Sequence, residues 1–244
     1  MGNPVVHFEV TGPDDGSLIT FYRELFGWGF ETLPDGGYTL VDTSGGAGIN
    51  GGIAKSEAGE RWSTFYVAAD DLQAVLDKAE SLGAKTVMPV TELPAVTLAM
   101  FTDPDGLLVG IVKSAEPAAE EQQGPSPGTG APVDWFEVLG SDTQRTQAFY
   151  TDLFGWNVTS GPAGYGLVDT GAEEGIQGGL GSMGEARWAT IYAYVPDVEE
   201  ALARAERLGG SRVYGPAAVD EHLQTGAFRD PAGNPFGVYH HALR

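Results

Sequence analysis

The sequence predicts an α+β protein assembled from two copies of one module, and three observations carry that prediction. The stretch from Val5 to Trp28, VVHFEVTGPDDGSLITFYRELFGW, returns from Val133 to Trp156 as VDWFEVLGSDTQRTQAFYTDLFGW, with Phe21 and Phe149 128 positions apart. Inside each copy a period-two alternation gives way to helical spacing, so a strand runs into a helix. After each helix come short apolar runs punctuated by glycine, as expected of strands joined by tight turns.

In order along the chain, Val5–Val10 alternates, with Val6, Phe8 and Val10 on one face and Val5, His7 and Glu9 on the other. Asp14 or Asp15 offers an N-cap to a helix carrying Leu18, Phe21, Tyr22 and Leu25, and Gly27 stops it. Strands follow at Gly37–Asp42 and, after the turn GGAGINGG, at Gly51–Ala54. Trp62–Ala68 alternates again, Asp70 or Asp71 caps, and Leu72, Val75, Leu76, Ala79 and Leu82 form a helical stripe ending at Gly83. Thr86–Val90, Thr97–Thr102 and Leu107–Val112 close the module, with Asp103-Pro104-Asp105-Gly106 as the turn before the last strand. The order is βαβββ followed by βαβββ.

The second copy repeats these signals. Tyr165–Asp169 answers Tyr38–Asp42, Gln177-Gly178-Gly179 answers Asn50-Gly51-Gly52, Arg187-Trp188 answers Arg61-Trp62, and Asp230-Pro231-Ala232-Gly233 answers the earlier turn. Between the copies, Ser114–Pro132 holds Pro, Gly, Glu and Gln with almost nothing to bury, which predicts a linker. The domain boundaries are therefore set at 1–113, linker 114–132, and 133–244.

A net charge of −21 repels nucleic acid and anionic membrane, so neither is expected as a partner. No apolar run reaches the length of a membrane span, and the start MGNPVVHFEV lacks the basic and apolar regions of a signal peptide, so a cytoplasmic protein is expected. The absence of cysteine removes thiol catalysis, thiolate metal sites and disulfides. The glycines of GGAGINGG lie between strands and do not open a helix, so they are not a phosphate loop.

H-F-E-V, F-Y-x-x-L-F-G-W, a D-D-L-x-x-V helix ending in L-G, and F-x-D-P-x-G before the last strand occur in that order. This combination resembles the vicinal oxygen chelate superfamily, the glyoxalase, bleomycin-resistance and extradiol-dioxygenase group. The tandem arrangement is similar to actinobacterial two-domain members, some of which carry a hydroxylase label. The resemblance implies that each pair of βαβββ units forms a curved eight-stranded sheet around a ligand cup. Val6, Phe8 and Val10, like Phe136 and Val138, then pack on the helices. His7 and Glu9, like Trp135 and Glu137, look into the cups.

Metal-dependent relatives hold a divalent ion with His and Glu from the first strand, the strand opening the second unit, and the last strand. Those places fall on His7, Thr64 and Gly110 in the first module, and on Trp135, Thr190 and Gly237 in the second. One imidazole among six places does not hold a divalent ion against water, so no metal and no other cofactor is expected. A weak site from His7, Glu9 and His222 is the dissenting arrangement.

On the same alternation, Trp62, Thr64, Tyr66, Leu108, Gly110 and Val112 join His7 and Glu9 in the first cup. Trp188, Thr190, Tyr192, Pro235, Gly237 and Tyr239 join Trp135 and Glu137 in the second. Aromatic walls with a few polar points suit a flat organic ligand, and glycine where relatives place Glu widens the floor. Tyr38, Tyr165 and His222 are further ligand candidates; each also has a plain structural role open to it. Glu9 and Glu137 either meet a ligand or pair with Arg61 or Arg187. His7 and Glu9 form the candidate acid–base pair.

Three functions follow. The first is metal-independent binding of a small, largely apolar or aromatic molecule, as in bleomycin-resistance-type sequestration. The second is a metal-free enzyme of secondary metabolism or detoxification, a hydroxylase, lyase or isomerase acting on a polyketide-like or carbonyl substrate through His7 and Glu9. The third is an interaction module with vestigial cups. The small-molecule ligand is the expected partner, and the chain is read as a monomer or homodimer.

Overall fold

The computed structural model describes residues 2–34, 36–114 and 130–242. The first repeat opens with β1 (Val5–Gly12), α1 (Asp15–Phe26), β2 (Gly29–Thr32), β3 (Tyr38–Asp42) and β4 (Gly51–Lys55). It continues with β5 (Trp62–Ala69), α2 (Leu72–Ser81), β6 (Lys85–Glu92), β7 (Thr97–Thr102) and β8 (Leu108–Lys113). The second opens with β9 (Val133–Leu139), α3 (Thr143–Phe154), β10 (Asn157–Ser160), β11 (Gly166–Asp169) and β12 (Gln177–Gly181). It closes with β13 (Trp188–Tyr194), α4 (Val198–Arg207), β14 (Ser211–Ala218), β15 (Leu223–Arg229) and β16 (Pro235–His241). Each repeat contributes one mixed eight-stranded sheet, ordered β2-β3-β4-β1-β5-β8-β7-β6 and β10-β11-β12-β9-β13-β16-β15-β14. This is the expected α+β architecture of paired βαβββ units.

Two strands escape the alternation rule. β2 and β10 are four-residue edge strands, mostly exposed and paired on one side only, so no buried face imposes a pattern on them. The helices begin where an aspartate can accept from the third residue on. Asp14 Oδ1 accepts from Ser17 N at 3.0 Å and Asp71 Oδ1 from Ala74 N at 2.9 Å; Asp142 and Asp197 do the same for α3 and α4. Gly27 and Gly155 end α1 and α3 in the left-handed conformation, at φ 73° and 72°, where a side chain would be strained. Most of the predicted linker, Ser114–Pro132, lies outside the described residues. At its ends Ser114 N donates to Ala69 O and Ala131 N to Phe26 O.

By contact the chain divides into two compact units cut differently from the repeats. The described residues within Met1–His7, Thr64–Gln122 and Trp135–Ala189 form the first; those within Phe8–Ser63, Gln123–Asp134 and Thr190–Arg244 form the second. Each unit thus joins the opening half of one repeat to the closing half of the other. In the second unit, Tyr22 stacks on Trp28 at 5.4 Å, Phe26 lies 5.4 Å from Phe236, and Phe21 lies 5.7 Å from Phe228. The first unit repeats the cluster with Tyr150 on Trp156 at 6.0 Å, Phe136 against Trp156 at 5.1 Å and Phe101 against Phe149 at 6.3 Å. Fully burying one such ring stabilises by about 1.5–3 kcal/mol, so these clusters are the principal cores.

The F-Y and D-P motifs meet inside these cores. Tyr22 OH donates to Asp230 Oδ2, and Tyr150 OH to Asp103 Oδ2, both at 3.1 Å. The other oxygen of each aspartate closes its own turn. Asp103 Oδ1 accepts from the amides of Asp105 and Leu107, and Asp230 Oδ1 from those of Ala232 and Asn234. Burial pushes both carboxyls above the usual carboxylate range, against the pull of these donors. The turn aspartates are therefore structural ties between strand hairpins and helices.

Candidate functional site: two carboxylates in aromatic walls

Each repeat buries one glutamate on its first strand, and the two are held alike. In the second unit, Glu9 Oε1 on β1 accepts from Trp62 Nε1 at 2.9 Å and from Thr11 Oγ1 at 3.3 Å, and the Tyr38 hydroxyl also bonds Glu9. Burial and then the Glu9 charge push the Tyr38 phenol upward, so it stays protonated and donates. In the first unit, Glu137 on β9 accepts from Tyr165 OH through Oε1 and from Trp188 Nε1 through Oε2, both at 2.9 Å. Glu9 is 7% exposed and Glu137 6%. Of the partners open to these carboxylates from sequence, a ligand or Arg61 and Arg187, the described hydrogen bonds show neither arginine; indole and phenol donors hold both groups. Arg187 instead donates to the carbonyls of Gly184 and Ala186.

The repeated diglycine makes these clamps possible. Gly52 stands opposite Glu9 in the ladder, and a Cβ there would lie 2.0 Å from Tyr38 OH. Its neighbour Gly51 admits the Phe8 ring in the same way. Gly179 and Gly178 do this for Tyr165 and Phe136. A glycine-glycine pair in a strand marks close approach by another group, and here both faces are approached by a ring. Read from sequence, Gly51 and Gly52 count in the GGAGINGG turn while Gly51 also starts a strand, and neither role shows the rings; the signal was the recurrence of the diglycine at the same distance from Tyr38 and Tyr165.

The metal places are filled differently. Thr64 Oγ1 donates to Leu108 O at 2.6 Å and Thr190 Oγ1 to Pro235 O at 2.8 Å, so both hydroxyls serve neighbouring strands. Gly110 and Gly237 do not widen a floor, as had been expected. The Tyr66 ring lies across Gly110 and the Tyr192 ring across Gly237, where a Cβ would come within 2.3 and 2.2 Å of ring carbons. Trp135 is half-buried on β9. Among the described residues no three His, Cys, Asp or Glu side chains gather to hold a metal ion. At Thr64, Thr190, Gly110 and Gly237 the groups present, two hydroxyls committed to strand carbonyls and two glycines covered by rings, do not fit a divalent cation.

His7 packs its ring edgewise against Tyr66 at 5.8 Å in the first unit. Burial lowers its pKa from 6.5 to about 4, leaving the imidazole neutral. His222 lies just before β15, its Nε2 3.4 Å from Glu221 and its ring 6.2 Å from that of His241. Tyr192 OH is 3.2 Å from Tyr214 OH. The structure thus gathers Glu9 with Trp62 and Tyr38, and Glu137 with Trp188 and Tyr165, while His7 keeps company with Tyr66.

A profile of the Glyoxalase/Bleomycin resistance protein/Dioxygenase superfamily matches residues 5–111, and one of the Glyoxalase-like domain matches residues 136–239. The chain is 28% identical to CFP32 of Mycobacterium tuberculosis, named as a candidate glyoxylase, over 92% of this chain and 90% of that protein. It is 27% identical to the anthracycline biosynthesis protein DnrV of Streptomyces peucetius, over 95% and 90%. In fold it is similar to the 2,3-dioxygenase LapB of Pseudomonas sp. KL28, with TM-score 0.66, 15% identity and coverage of 98% and 92%. It is also similar to the Mn(II)-bound glyoxalase of Novosphingobium aromaticivorans, with TM-score 0.65, 15% identity and coverage of 98% and 82%. With both repeats matched and the strand order in place, the chain belongs to the glyoxalase, bleomycin-resistance and dioxygenase superfamily as a tandem member.

Proposed function

We propose that this chain binds a small, largely apolar or aromatic organic molecule without a metal ion. The observation that carries the reading is the replacement of the metal places by Thr64, Thr190 and tyrosine-covered glycines, beside carboxylates fixed by Trp and Tyr donors. Side chains tied in this way are preorganised, so a flat ligand meets an aromatic surface whose ordering cost is already met. Two relatives of matching length are anthracycline biosynthesis proteins, which makes flat polycyclic polyketides the natural first probes.

The enzymatic alternative needs His7 as a base and Glu9 as its helper. An imidazole lowered to about 4 is a weak base at neutral pH, and Glu9 already serves Trp62, Thr11 and Tyr38. Binding is therefore the better-supported reading.

The test is a tryptophan-fluorescence titration with an anthraquinone in excess EDTA. Saturable binding is expected, weakened about tenfold by Trp62→Phe or Trp188→Phe, a loss of roughly 1.4 kcal/mol, and changed little by His7→Ala. Turnover of the probe that collapses in His7→Ala would favour the enzyme. Failure of a broad aromatic panel to bind would leave only the interaction module.

A further inference from the structure

The sheet register from β5 and β13 outward sets two rows of residues on one face, each row inside its own unit. In the first unit the row is Tyr66, Gly110, Met100 and Met88. In the second it is Tyr192, Gly237, Ala227 and Tyr214. The glycine and its covering tyrosine are common to both rows, and the outer two positions are not. Beside the first row lie Val112 and Leu98, beside the second Tyr239 and Thr225.

These differences change the chemistry each tyrosine meets. Tyr66 OH points at Met100 Sδ, 3.8 Å away. Ala227 leaves room that Tyr214 takes, so Tyr192 OH meets Tyr214 OH at 3.2 Å, and Tyr214 OH meets Thr225 Oγ1 at 3.2 Å. Thioethers and aliphatic groups are adaptable, polarizable and almost without hydrogen-bonding capacity. The run of three hydroxyls ends on Val238 O, to which Thr225 Oγ1 donates at 3.4 Å, so the phenol oxygens of Tyr192 and Tyr214 are oriented as acceptors for a ligand hydroxyl. Covering that run with a purely apolar ring strips water from it and returns nothing.

We infer that the two repeats recognise different parts of aromatic chemistry: the methionine row takes an unsubstituted fused ring, and the tyrosine row takes a ring bearing phenolic hydroxyls. This rests on the ligand-binding reading above and adds a division of labour to it. Ligand choice then turns on Met88 and Tyr214, positions that line the two sheets at matching places in the repeat.

The chain has four methionines, so methyl-labelled methionine gives a sparse spectrum in which Met88 and Met100 are separate reporters. Naphthalene and 2,6-dihydroxynaphthalene are the probes, in EDTA. Naphthalene is expected to shift the Met88 and Met100 methyls and to bind about fivefold more weakly to Met88→Ala, with Tyr214→Phe unchanged. The diol is expected to lose about fivefold in Tyr214→Phe and in Tyr192→Phe, with Met88→Ala unchanged and the two methyls unmoved. Met88 is 37% exposed and the tyrosine changes delete one oxygen each, so all three variants keep the fold, which a thermal melt verifies. Binding of both probes with the same sensitivity to both sets of variants overturns the division and leaves ligand binding standing. Binding of neither overturns both.

Discussion

Glu9 and Glu137 show how indole and phenol donors hold a carboxylate inside an aromatic wall. Hydrogen bonds to an ionised group contribute about 1.5–3 kcal/mol, and removing the acceptor also strands its donors. Glu9→Ala is expected to destabilise by roughly 2–3 kcal/mol in urea unfolding, and Glu9→Gln by less; a loss below about 0.5 kcal/mol would show that the clamp is idle. Gly110→Ala and Gly237→Ala drive a Cβ into the Tyr66 and Tyr192 rings, so each is expected to cost about 2 kcal/mol or more, partly recovered when the facing tyrosine is cut to alanine. His7 gives a pH signature. Its folded pKa of about 4 lies below the unfolded 6.5, so the unfolded chain binds more protons between those values and stability falls as pH drops through that window. Asp103 and Asp230 are shifted upward and act in the opposite sense. The His7 part is therefore read as the difference between wild type and His7→Gln, whose slope should be flatter between pH 6.5 and 4; equal slopes would remove His7 from the account. Strand parity identified Glu9, Trp62, Glu137 and Trp188 one by one as wall residues. That they meet Tyr38 and Tyr165 was not legible, because cross-strand register depends on turn geometry. Arg61 and Arg187 were open as partners because a neighbouring charge in sequence looks like one; the residues next to them, Trp62 and Trp188, donate to the carboxylates.

The helices were the most legible elements. Aspartate caps, apolar stripes and glycine stops agree with one another at α1 and α2, so their boundaries follow within a residue or two, and α3 and α4 follow from the repeat. The edge strands β2 and β10 were not legible, since they bury almost nothing. The F-G-W ending reads correctly as helix stop and core anchor: Gly27 adopts the left-handed turn, and Trp28 Nε1 donates to Ala131 O at 2.8 Å. What sequence could not show is that the tyrosine of F-Y reaches the turn aspartate of the other repeat, because that contact spans 208 residues in one case and 47 in the other. Tyr22→Phe and Tyr150→Phe are each expected to cost about 1–3 kcal/mol, and the double variant about their sum, since the two ties lie in different units. Chemical denaturation of the three variants measures this, and a double variant no worse than either single one would contradict it.

At the scale of the whole molecule, the duplication visible in sequence sets the two sheets, but the compact units combine halves of both repeats. Tyr22, Phe26 and Trp28 of the first repeat pack with Phe228 and Phe236 of the second, and Phe8 backs Trp28. A chain ending at residue 113 therefore exposes half of an aromatic core. Such a fragment is expected not to melt cooperatively as a monomer, and a sharp monomeric transition would contradict that. The repeat is legible because duplication preserves spacing, and the exchange of halves is not, because both pairings satisfy the same pattern of buried residues. The proposed function rests on the same duplicated walls: aromatic, carboxylate-bearing surfaces where four of the six metal places hold threonine or glycine. Elemental analysis of the intact protein, purified without chelator, tests this most directly. The expected result is divalent metal far below one equivalent per chain, with aromatic-ligand binding intact; near-stoichiometric iron, manganese, nickel or zinc would contradict it.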